Sequence, residues 1–253
     1  MNGYPTLYYE SRFNDATPVA SSTASGDYNV SYLTDYRRFT YWRPNAMPAD
    51  VRVNSGQARA ADYGVLFGHD LGSQGATVQL QGSTDNFATS IVTIASATPA
   101  NDDPILFRFN STSYQYWRYY FTGASVVTIA LALIGVALAF PRRLRVGYDP
   151  LGRRVHNTIN RSNAGHALGS TVKWEELKQR LSFRNLNSET WLRTTWLPAW
   201  RAHLRDTAVL FAWDPVNHPT EMRLVNIERG FQSPHQVGQF SDFQIEISGV
   251  MEQ

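Results

Sequence analysis

The stretch Tyr63–Ser83, YGVLFGHDLGSQGATVQLQGS, decides how the rest of the chain is interpreted. Apolar residues alternate with others in two segments, at Val65 and Phe67 before the glycines and at Val78 and Leu80 after them. A period of two residues predicts half-buried β-strands. The glycines and polar residues of HDLGSQGA predict a tight turn between the strands. A phosphate-binding loop would need a helix after the glycines, and the strand-like VQLQGS indicates a structural turn instead.

Length and composition narrow the classes of function. The chain has 253 residues, which is enough for one large or two ordinary domains. It contains no cysteine, which excludes disulfides, thiol nucleophiles and zinc sites built on cysteine. The net charge of +2 and the absence of long Lys/Arg runs predict no nucleic-acid-binding surface. The N-terminus lacks a basic segment followed by an apolar run, so we expect no signal peptide.

An uncharged apolar stretch, Ser125–Phe140, has to be assigned either to a membrane span or to buried strands. It is shorter than the roughly 20 residues that a spanning helix needs. Its large side chains, such as Ile129 and Leu131, alternate with alanines, which is a strand period. We therefore predict two buried strands that meet at a hinge at Gly135, and no membrane span.

Turn residues and apolar runs divide the chain into four predicted segments: an N-terminal arm or irregular entry strand (1–30), an all-β sandwich (31–146), an extended arm or linker (147–171) and a second domain (172–253). Within the sandwich, short predicted strands alternate with clusters of Gly, Pro, Asn and Asp about every ten residues, as in all-β domains. Ile105–Phe109 and Tyr114–Gly123 are two of these strands. The predicted fold class is mainly β, a β-sandwich jelly roll followed by a smaller α+β domain.

The second domain is predicted to place one helix on an antiparallel sheet. Its last strand is predicted from the alternation of Phe243, Ile245 and Ile247 with polar residues. Asn187 or Ser188 is a suitable N-cap, and Pro198 predicts either a kink or the start of another helix. Residues 172–183 suit a strand, although KWEELKQRL alone would also suit a helix. The predicted packing face of the helix is the stripe Leu192, Trp196, Trp200 and Leu204.

Several short motifs between residues 30 and 141 follow one another in a recognisable order. They are Asp35, Thr40-Tyr41-Trp42, Val51–Gly56, Gly82-Ser83-Thr84-Asp85 and Trp117-Arg118. In order and spacing they resemble the galactose-binding-like, or discoidin (F5/8 type C), jelly-roll family. Asn54 departs from the pattern, because the family usually has Asp there. The resemblance implies a jelly roll whose ligand site, where one exists, lies in the loops at one end of the sandwich.

The first of these loops supplies the candidate ligand residues, because aromatic faces and arginine forks can stack on and hydrogen-bond a sugar. The candidates are Tyr36, Arg37, Arg38, Tyr41 and Arg43. Contact with another protein subunit would use the same residue types. We interpret Asp35 and Arg118 as a partly buried structural ion pair rather than as ligand groups. Trp42 and Trp117 are assigned to the core.

Three C-terminal motifs carry a second resemblance. They are Phe211-Ala212-Trp213-Asp214-Pro215, Pro219-Thr220-Glu221 and Ile245–Glu252. They resemble minor tail proteins of long-tailed bacteriophages, and among these the distal tail (baseplate ring) protein. The resemblance implies a structural virion protein, made in the host cytoplasm, that forms a homo-oligomeric ring of six copies between the tail tube and the baseplate hub or fibres. In that family the ring domain usually precedes the sandwich, whereas here the sandwich comes first. The alternative function is a carbohydrate-binding module that recognises host surface glycans.

No catalytic or metal-binding motif is found in the sequence. G-x-S-x-G, H-E-x-x-H and P-loop patterns are absent. The adjacent pairs Asp102-Asp103 and Glu175-Glu176 should point apart instead of converging on one bond. His156 and His166 have no partner at metal-ligand spacing. We therefore expect no enzyme, no metal and no cofactor.

Overall fold

The computed structural model describes residues 3–251, apart from the side chains of Arg229 and Met251. The chain forms two compact units. The sandwich unit consists of Leu7–Leu138 together with Asp214–Met222. The helix-bearing unit consists of residues 3–6, 139–213 and 223–251. The fold is mainly β, as predicted. Each unit consists of more than one segment of the chain, whereas the predicted domains 31–146 and 172–253 were continuous.

The first eight strands are all in the N-terminal part of the chain. They are β1 (Thr6–Tyr8), β2 (Val19–Ala20), β3 (Ala49–His69), β4 (Thr77–Ser83), β5 (Val92–Ala97), β6 (Ile105–Thr122), β7 (Ile129–Gly135) and β8 (Leu138–Ala139). Two 3₁₀ helices, Arg12–Asn14 and Val30–Thr34, lie between them. In the sandwich unit the strand order is β2-β3-β6-β4-β5, and β7 pairs with β3.

Two long strands, β3 and β6, form the centre of the sandwich unit. They pair antiparallel from Ala49 opposite Phe121 to Leu66 opposite Ile105, with an irregularity between Asn54 and Arg59. Gly56 lies inside this irregularity with φ +74°, a conformation that glycine adopts without strain. The sequence predicted two strands, at 105–109 and 114–123, where the structure has the single strand β6. Polar residues between these segments suggested a turn, but pairing with β3 keeps them extended.

The first half of the stretch Tyr63–Ser83 is more deeply buried than a period of two predicts. Tyr63, Val65, Leu66 and Phe67 are all buried, so both faces of β3 are covered here. The cover for one face includes Tyr8, whose ring centroid lies 4.8 Å from that of Tyr63. For the N-terminal segment the prediction of a separate arm is therefore wrong, whereas that of an entry strand agrees with β1 and β2. Leu7, Tyr8 and Phe13 are almost fully buried and belong to the core.

The apolar stretch Ser125–Phe140 forms strands, as predicted. β7 is buried along its whole length and ends at Gly135, and β8 follows after a short break. An added Cβ at Gly135 would lie 2.0 Å from the carbonyl oxygen of Glu10, so only glycine fits at this position. Among residues 3–251, no helix has both the length and the apolar character to cross a membrane.

The helix-bearing unit contains the remaining strands and one helix. The strands are β9 (Arg154–Arg161), β10 (Ala167–Asn187), β11 (Val209–Ala212), β12 (Met222–Gln232), β13 (His235–Val237) and β14 (Phe240–Met251). Their order is β11-β12-β14-β10-β9, and β13 also pairs with β14. Helix α1 comprises a π-helical segment Ser188–Trp196, an α-helical turn Leu197–Ala199 and a second π-helical segment Trp200–Leu204.

Helix α1 follows the sequence prediction closely. The Asn187 side chain accepts hydrogen bonds from the backbone N–H groups of Glu189 and Thr190 at 3.0 and 2.9 Å, which is N-cap geometry. The predicted stripe packs inward, with Trp196 fully buried and its ring centroid 4.7 Å from that of Phe243 on β14. Pro198 does not start another helix, because the helix continues through it, from one π-helical segment through the α-helical turn Leu197–Ala199 into the next.

The segment 147–171 is not a featureless linker. Its second part forms a β-hairpin, in which β9 pairs antiparallel with the first half of β10 from Arg154 opposite Glu176 to Arg161 opposite Ala167. We call Arg154–Glu176 the β9–β10 hairpin. Residues 172–183, which also suited a helix, belong to the strand β10.

The turn between β3 and β4 is fixed by a second loop. The Ser73 backbone N–H donates to Asp102 at 2.9 Å. A Cβ added to Gly72 would lie 2.3 Å from the backbone of Asn101 in that loop. Gly75, in the same turn, has φ +60° and open space around its Cα. Gly72 is thus required by a close approach of two backbones, and Gly75 by a left-handed conformation.

Gly72→Ala should lower the free energy of unfolding by about 2 kcal/mol, because the added methyl group displaces the backbone of Asn101. Gly75→Asn is the matched control, since asparagine tolerates a positive φ, and its effect should stay within about 0.5 kcal/mol. Urea unfolding followed by tryptophan fluorescence measures both. Equal stability of the two variants would contradict the proposed packing of the turn.

His69 is a buried base beside this turn. It is 6% exposed, and its Nδ1 accepts the Leu71 N–H at 3.4 Å. Burial lowers the pKa of the imidazole, although the nearby carboxylates of Asp102, Asp70 and Asp103 oppose that shift. The ring is therefore neutral in the folded protein near neutral pH.

Stability should fall in acid partly because of His69. The unfolded chain binds a proton at this histidine more readily than the folded chain does, so the free energy of unfolding decreases as the pH falls below about 6.5. His69→Gln should make this loss of stability in acid smaller. It should not abolish the loss, because burial also lowers the pKa of His203. Urea unfolding over a pH series tests the expectation, with His235→Gln as the exposed control. An unchanged pH dependence in His69→Gln would contradict it.

Candidate ligand-binding loop

The segment from Asp35 to Arg43 connects a short helix to the sandwich, and we call it the 35–43 loop. The Asp35 carboxylate accepts hydrogen bonds from the Thr40 hydroxyl at 2.7 Å and from the Arg37 backbone N–H at 2.8 Å. Tyr36 has φ +56°, which turns the chain sharply after the helix Val30–Thr34. At the other end, the Trp42 N–H donates to the carbonyl of Ile129 at 2.9 Å. The loop is therefore held at both ends.

Two aromatic rings of the loop face solvent. Phe39 is 76% exposed and Tyr41 is 37% exposed. Arg37 is exposed as well. Exposed aromatic rings next to an arginine combine apolar contact area with charged hydrogen-bond donors, which is the composition of many recognition surfaces.

The other two arginines of the predicted set are stacked on aromatic rings. The Arg38 guanidinium lies 5.6 Å from the ring centroid of Phe67, and the Arg43 guanidinium lies 5.9 Å from that of Tyr28. Both distances are within the range of cation–π attraction. These contacts restrict the side chains of Arg38 and Arg43. The two arginines therefore lie at the border of the exposed part of the loop.

Tyr36 is buried and is not available to a ligand. Its hydroxyl donates to the carbonyl of Tyr9 at 2.6 Å, and burial raises the pKa of the phenol. The sequence grouped Tyr36 with the ligand candidates because it adjoins two arginines. Phe39, the most exposed ring of the loop, was not among the candidates. Its signal in the sequence was an apolar residue within a polar turn.

Asp35 and Arg118 have other partners in the structure, so the predicted ion pair is replaced. Asp35 is bonded within its own loop, as described above. The Arg118 Nε donates to the side-chain oxygen of Gln81 at 2.7 Å, and its guanidinium lies 4.1 Å from the ring centroid of Phe87. The sequence motifs gave the order of the strands but not which of their side chains meet. Trp42 and Trp117 are fully buried, as predicted.

Glu175, Glu176 and His156, which the sequence analysis singled out, have charged or aromatic partners in the structure. Glu175 and Glu176 point apart, as predicted, to Arg153 at 3.1 Å and Arg154 at 3.5 Å. His156 is 3.2 Å from Glu176 and stacks on Trp174. Within residues 3–251, no group of three or more metal-ligating side chains has the arrangement that a metal ion requires.

Comparisons with known proteins were made for the whole chain. No family model matches it, and no curated protein matches it. Among solved structures it is similar to chitosan-binding module 1 of a chitosanase/glucanase from Paenibacillus sp. IK-5, with 16% identity and a TM-score of 0.42 over 49% of this chain and 98% of that one.

Two further structures have comparable similarity. The module CpGH89CBM32-5 from Clostridium perfringens, in complex with GalNAc-β-1,3-galactose, has 14% identity and a TM-score of 0.40 over 48% of this chain and 96% of that one. A GH29 fucosidase from Ruminococcus gnavus, in complex with fucose, has 12% identity and a TM-score of 0.45 over 52% of this chain and 28% of that one. At these levels of similarity the comparisons assign neither a family nor a ligand to this chain. The strand pairing of the chain itself defines its fold.

Proposed function

We propose that the sandwich unit binds carbohydrate through the 35–43 loop. The observation that carries the proposal is the 76% exposure of Phe39 on a loop that is held at both ends. A fixed, solvent-facing ring offers a flat apolar surface to the C–H groups of a pyranose. Because the loop is already ordered, little conformational entropy would be lost when a sugar binds.

The neighbouring side chains have complementary tasks in this proposal. Tyr41 adds a second ring with a hydroxyl that donates and accepts hydrogen bonds. The Arg37 guanidinium supplies a fork of donors to sugar hydroxyl or carboxylate oxygens. Arg38 and Arg43, stacked on Phe67 and Tyr28, form the border of the site.

Phe39→Ala, Arg37→Ala and Tyr41→Ala should each weaken sugar binding at least tenfold, which is about 1.4 kcal/mol. The probes are a panel of oligosaccharides without acidic groups that includes chitotriose and GalNAc-β-1,3-galactose, titrated by calorimetry. Ile91→Ala is the matched control, since Ile91 is also exposed but lies in another loop. Millimolar-or-better binding that survives the loop variants, or no binding by any probe, would contradict the proposal.

We propose as a second function that the chain is a subunit of a homo-oligomeric ring and that the β9–β10 hairpin contacts the next copy. On one face of the hairpin, Val155, Ile159 and Val172 are 45–47% exposed. On the other, His156 stacks on Trp174 with ring centroids 4.6 Å apart. A two-stranded hairpin without cover is only marginally stable, and β9 is an edge strand with one side unpaired. Both features favour docking on another chain.

The charge distribution supports contact between unlike surfaces of two copies. Residues 139–213 contain 13 Lys/Arg and 5 Asp/Glu, whereas residues 7–138 contain 8 Arg and 10 Asp/Glu. The basic segment 139–213 of one copy and the acidic sandwich unit of the next would attract each other, and head-to-tail contacts of this kind form a ring when the rotation between copies closes. With the resemblance of the C-terminal motifs, we propose a six-copy ring at the tail tip of a phage virion, between tail tube and baseplate hub or fibres.

Ile159→Lys combined with Val172→Lys should convert a closed oligomer into a monomer, because two charges replace the apolar face of the hairpin. Val237→Lys is the control, since Val237 is 71% exposed on a different hairpin. Native mass spectrometry over a concentration series measures the number of copies, and circular dichroism checks the fold. A wild-type chain that remains monomeric throughout, or a double variant that assembles like the wild type, would contradict the ring.

A further inference from the structure

The outer face of the central sheet in the sandwich unit carries an unusual group of side chains. In the strand register, Arg52 of β3 is opposite Arg118 of β6, and Arg118 is opposite Gln81 of β4. Residues directly opposite in antiparallel strands share a face. The residues between them in sequence, such as Val51 and Trp117, are buried in the core. The two arginines therefore lie side by side on the face opposite the core.

Arg118 is held in place by its neighbours. Its guanidinium lies between two rings, 4.1 Å from the centroid of Phe87 and 5.1 Å from that of Tyr120. Its Nε donates to Gln81, and the Gln81 amide in turn donates to Gln79 at 2.6 Å and to Thr93 at 3.3 Å. These contacts use one nitrogen of Arg118 and fix the plane of the other two.

The remaining donors on this face have no acceptor within residues 3–251. No hydrogen bond or ion pair of the described chain involves the two Nη groups of Arg118 or the guanidinium of Arg52. The nearest carboxylate is Asp50, which is opposite Tyr120 in the register. Burial raises the pKa of Asp50, and the positive charges of Arg52 and Arg118 oppose that shift. One Asp50 oxygen is buried without a hydrogen-bond partner.

The balance of charge on this face favours an anion. Like charges directly opposite on neighbouring strands destabilise a sheet. On this face the single negative charge of Asp50 accompanies the two positive charges of Arg52 and Arg118. A bound carboxylate would accept from both arginines in the planar, paired geometry that guanidinium favours. Tyr120 and the free amide nitrogen of Gln79 would then face the rest of the ligand, and both are suited to hydroxyl groups.

We propose that this surface, formed by Asp50, Arg52, Arg118, Tyr120 and Gln79 and called here the arginine face, binds an acidic saccharide through the carboxylate of a uronic acid residue. The Arg118 Nη groups and the Arg52 guanidinium hold the carboxylate. The Tyr120 ring and the Gln79 amide contact the sugar ring and its hydroxyls. The site lies on paired strands and is separate in sequence from the 35–43 loop, so it is independent of the function proposed for that loop.

Calorimetric titration with trigalacturonate tests the proposal. Its fully methyl-esterified form is the control ligand, because esterification removes the negative charges and leaves the sugar rings and their hydroxyls unchanged. The wild-type chain should bind the acid at millimolar or better affinity and the ester at least tenfold more weakly. Arg52→Ala and Arg118→Lys should each weaken binding of the acid at least tenfold, because lysine keeps the charge but loses the paired donors. Arg108→Ala, on the same strand β6, should bind like the wild type.

Asp50→Asn separates ligand binding from a structural role. Removing the opposing charge should tighten trigalacturonate binding severalfold, an effect that loss of structure would not produce. Equal affinity for acid and ester, no binding of the acid, or an Asp50→Asn variant that binds no more tightly would each overturn the proposal. Inorganic phosphate that competes as strongly as the saccharide would also overturn it and would identify a general anion site.

Discussion

The pairing of β3 with β6 is the constraint on which the sandwich unit depends. These strands pair from Ala49 opposite Phe121 to Leu66 opposite Ile105, with shifts of register after Asn54 and after Ala61. Strands β2, β4 and β7 each pair directly with one of them. Because their contacts are distant in sequence, the pairing must overcome a large loop-closure entropy. The buried aromatic residues that alternate along β6, Trp117, Tyr119 and Phe121, supply the apolar area that offsets this cost.

The same pairing determines what lies on the opposite face. When Trp117 and Tyr119 point into the core, Arg118 between them must point outward, and the register places it beside Arg52. A shift of one residue would bury the arginines and expose the tryptophan, so the core prevents it. The like-charged pair is therefore a consequence of the register, and the contacts with Gln81, Phe87 and Tyr120 hold Arg118 in that position.

Local patterns were sufficient to predict some elements and insufficient for others, for physical reasons. The N-cap at Asn187, the helix stripe around Trp196 and the alternation along β14 depend on neighbours within a few residues, and the sequence predicted them. The burial of Tyr8 against Tyr63 and the continuity of β6 depend on pairing over more than 40 residues. No local period contains that information, so the N-terminal arm and the break in β6 were wrongly predicted.

The candidate sites divide in the same way. The arginines and aromatic residues of the 35–43 loop identified it as a candidate, yet a local pattern could not distinguish buried Tyr36 from exposed Phe39. Tyr36 combines a positive φ with a hydrogen bond to the distant carbonyl of Tyr9, and no local pattern contains either feature. The sequence analysis also paired Arg118 with Asp35, since complementary charge is visible in a sequence and register is not. Within residues 3–251, three groups have no partners of their own: the Phe39 ring, the apolar hairpin face and the Arg52 guanidinium. Leaving such groups exposed or opposed lowers stability. Natural sequences tolerate that loss chiefly where function requires it, which makes these three surfaces the places where the function of the chain should be sought.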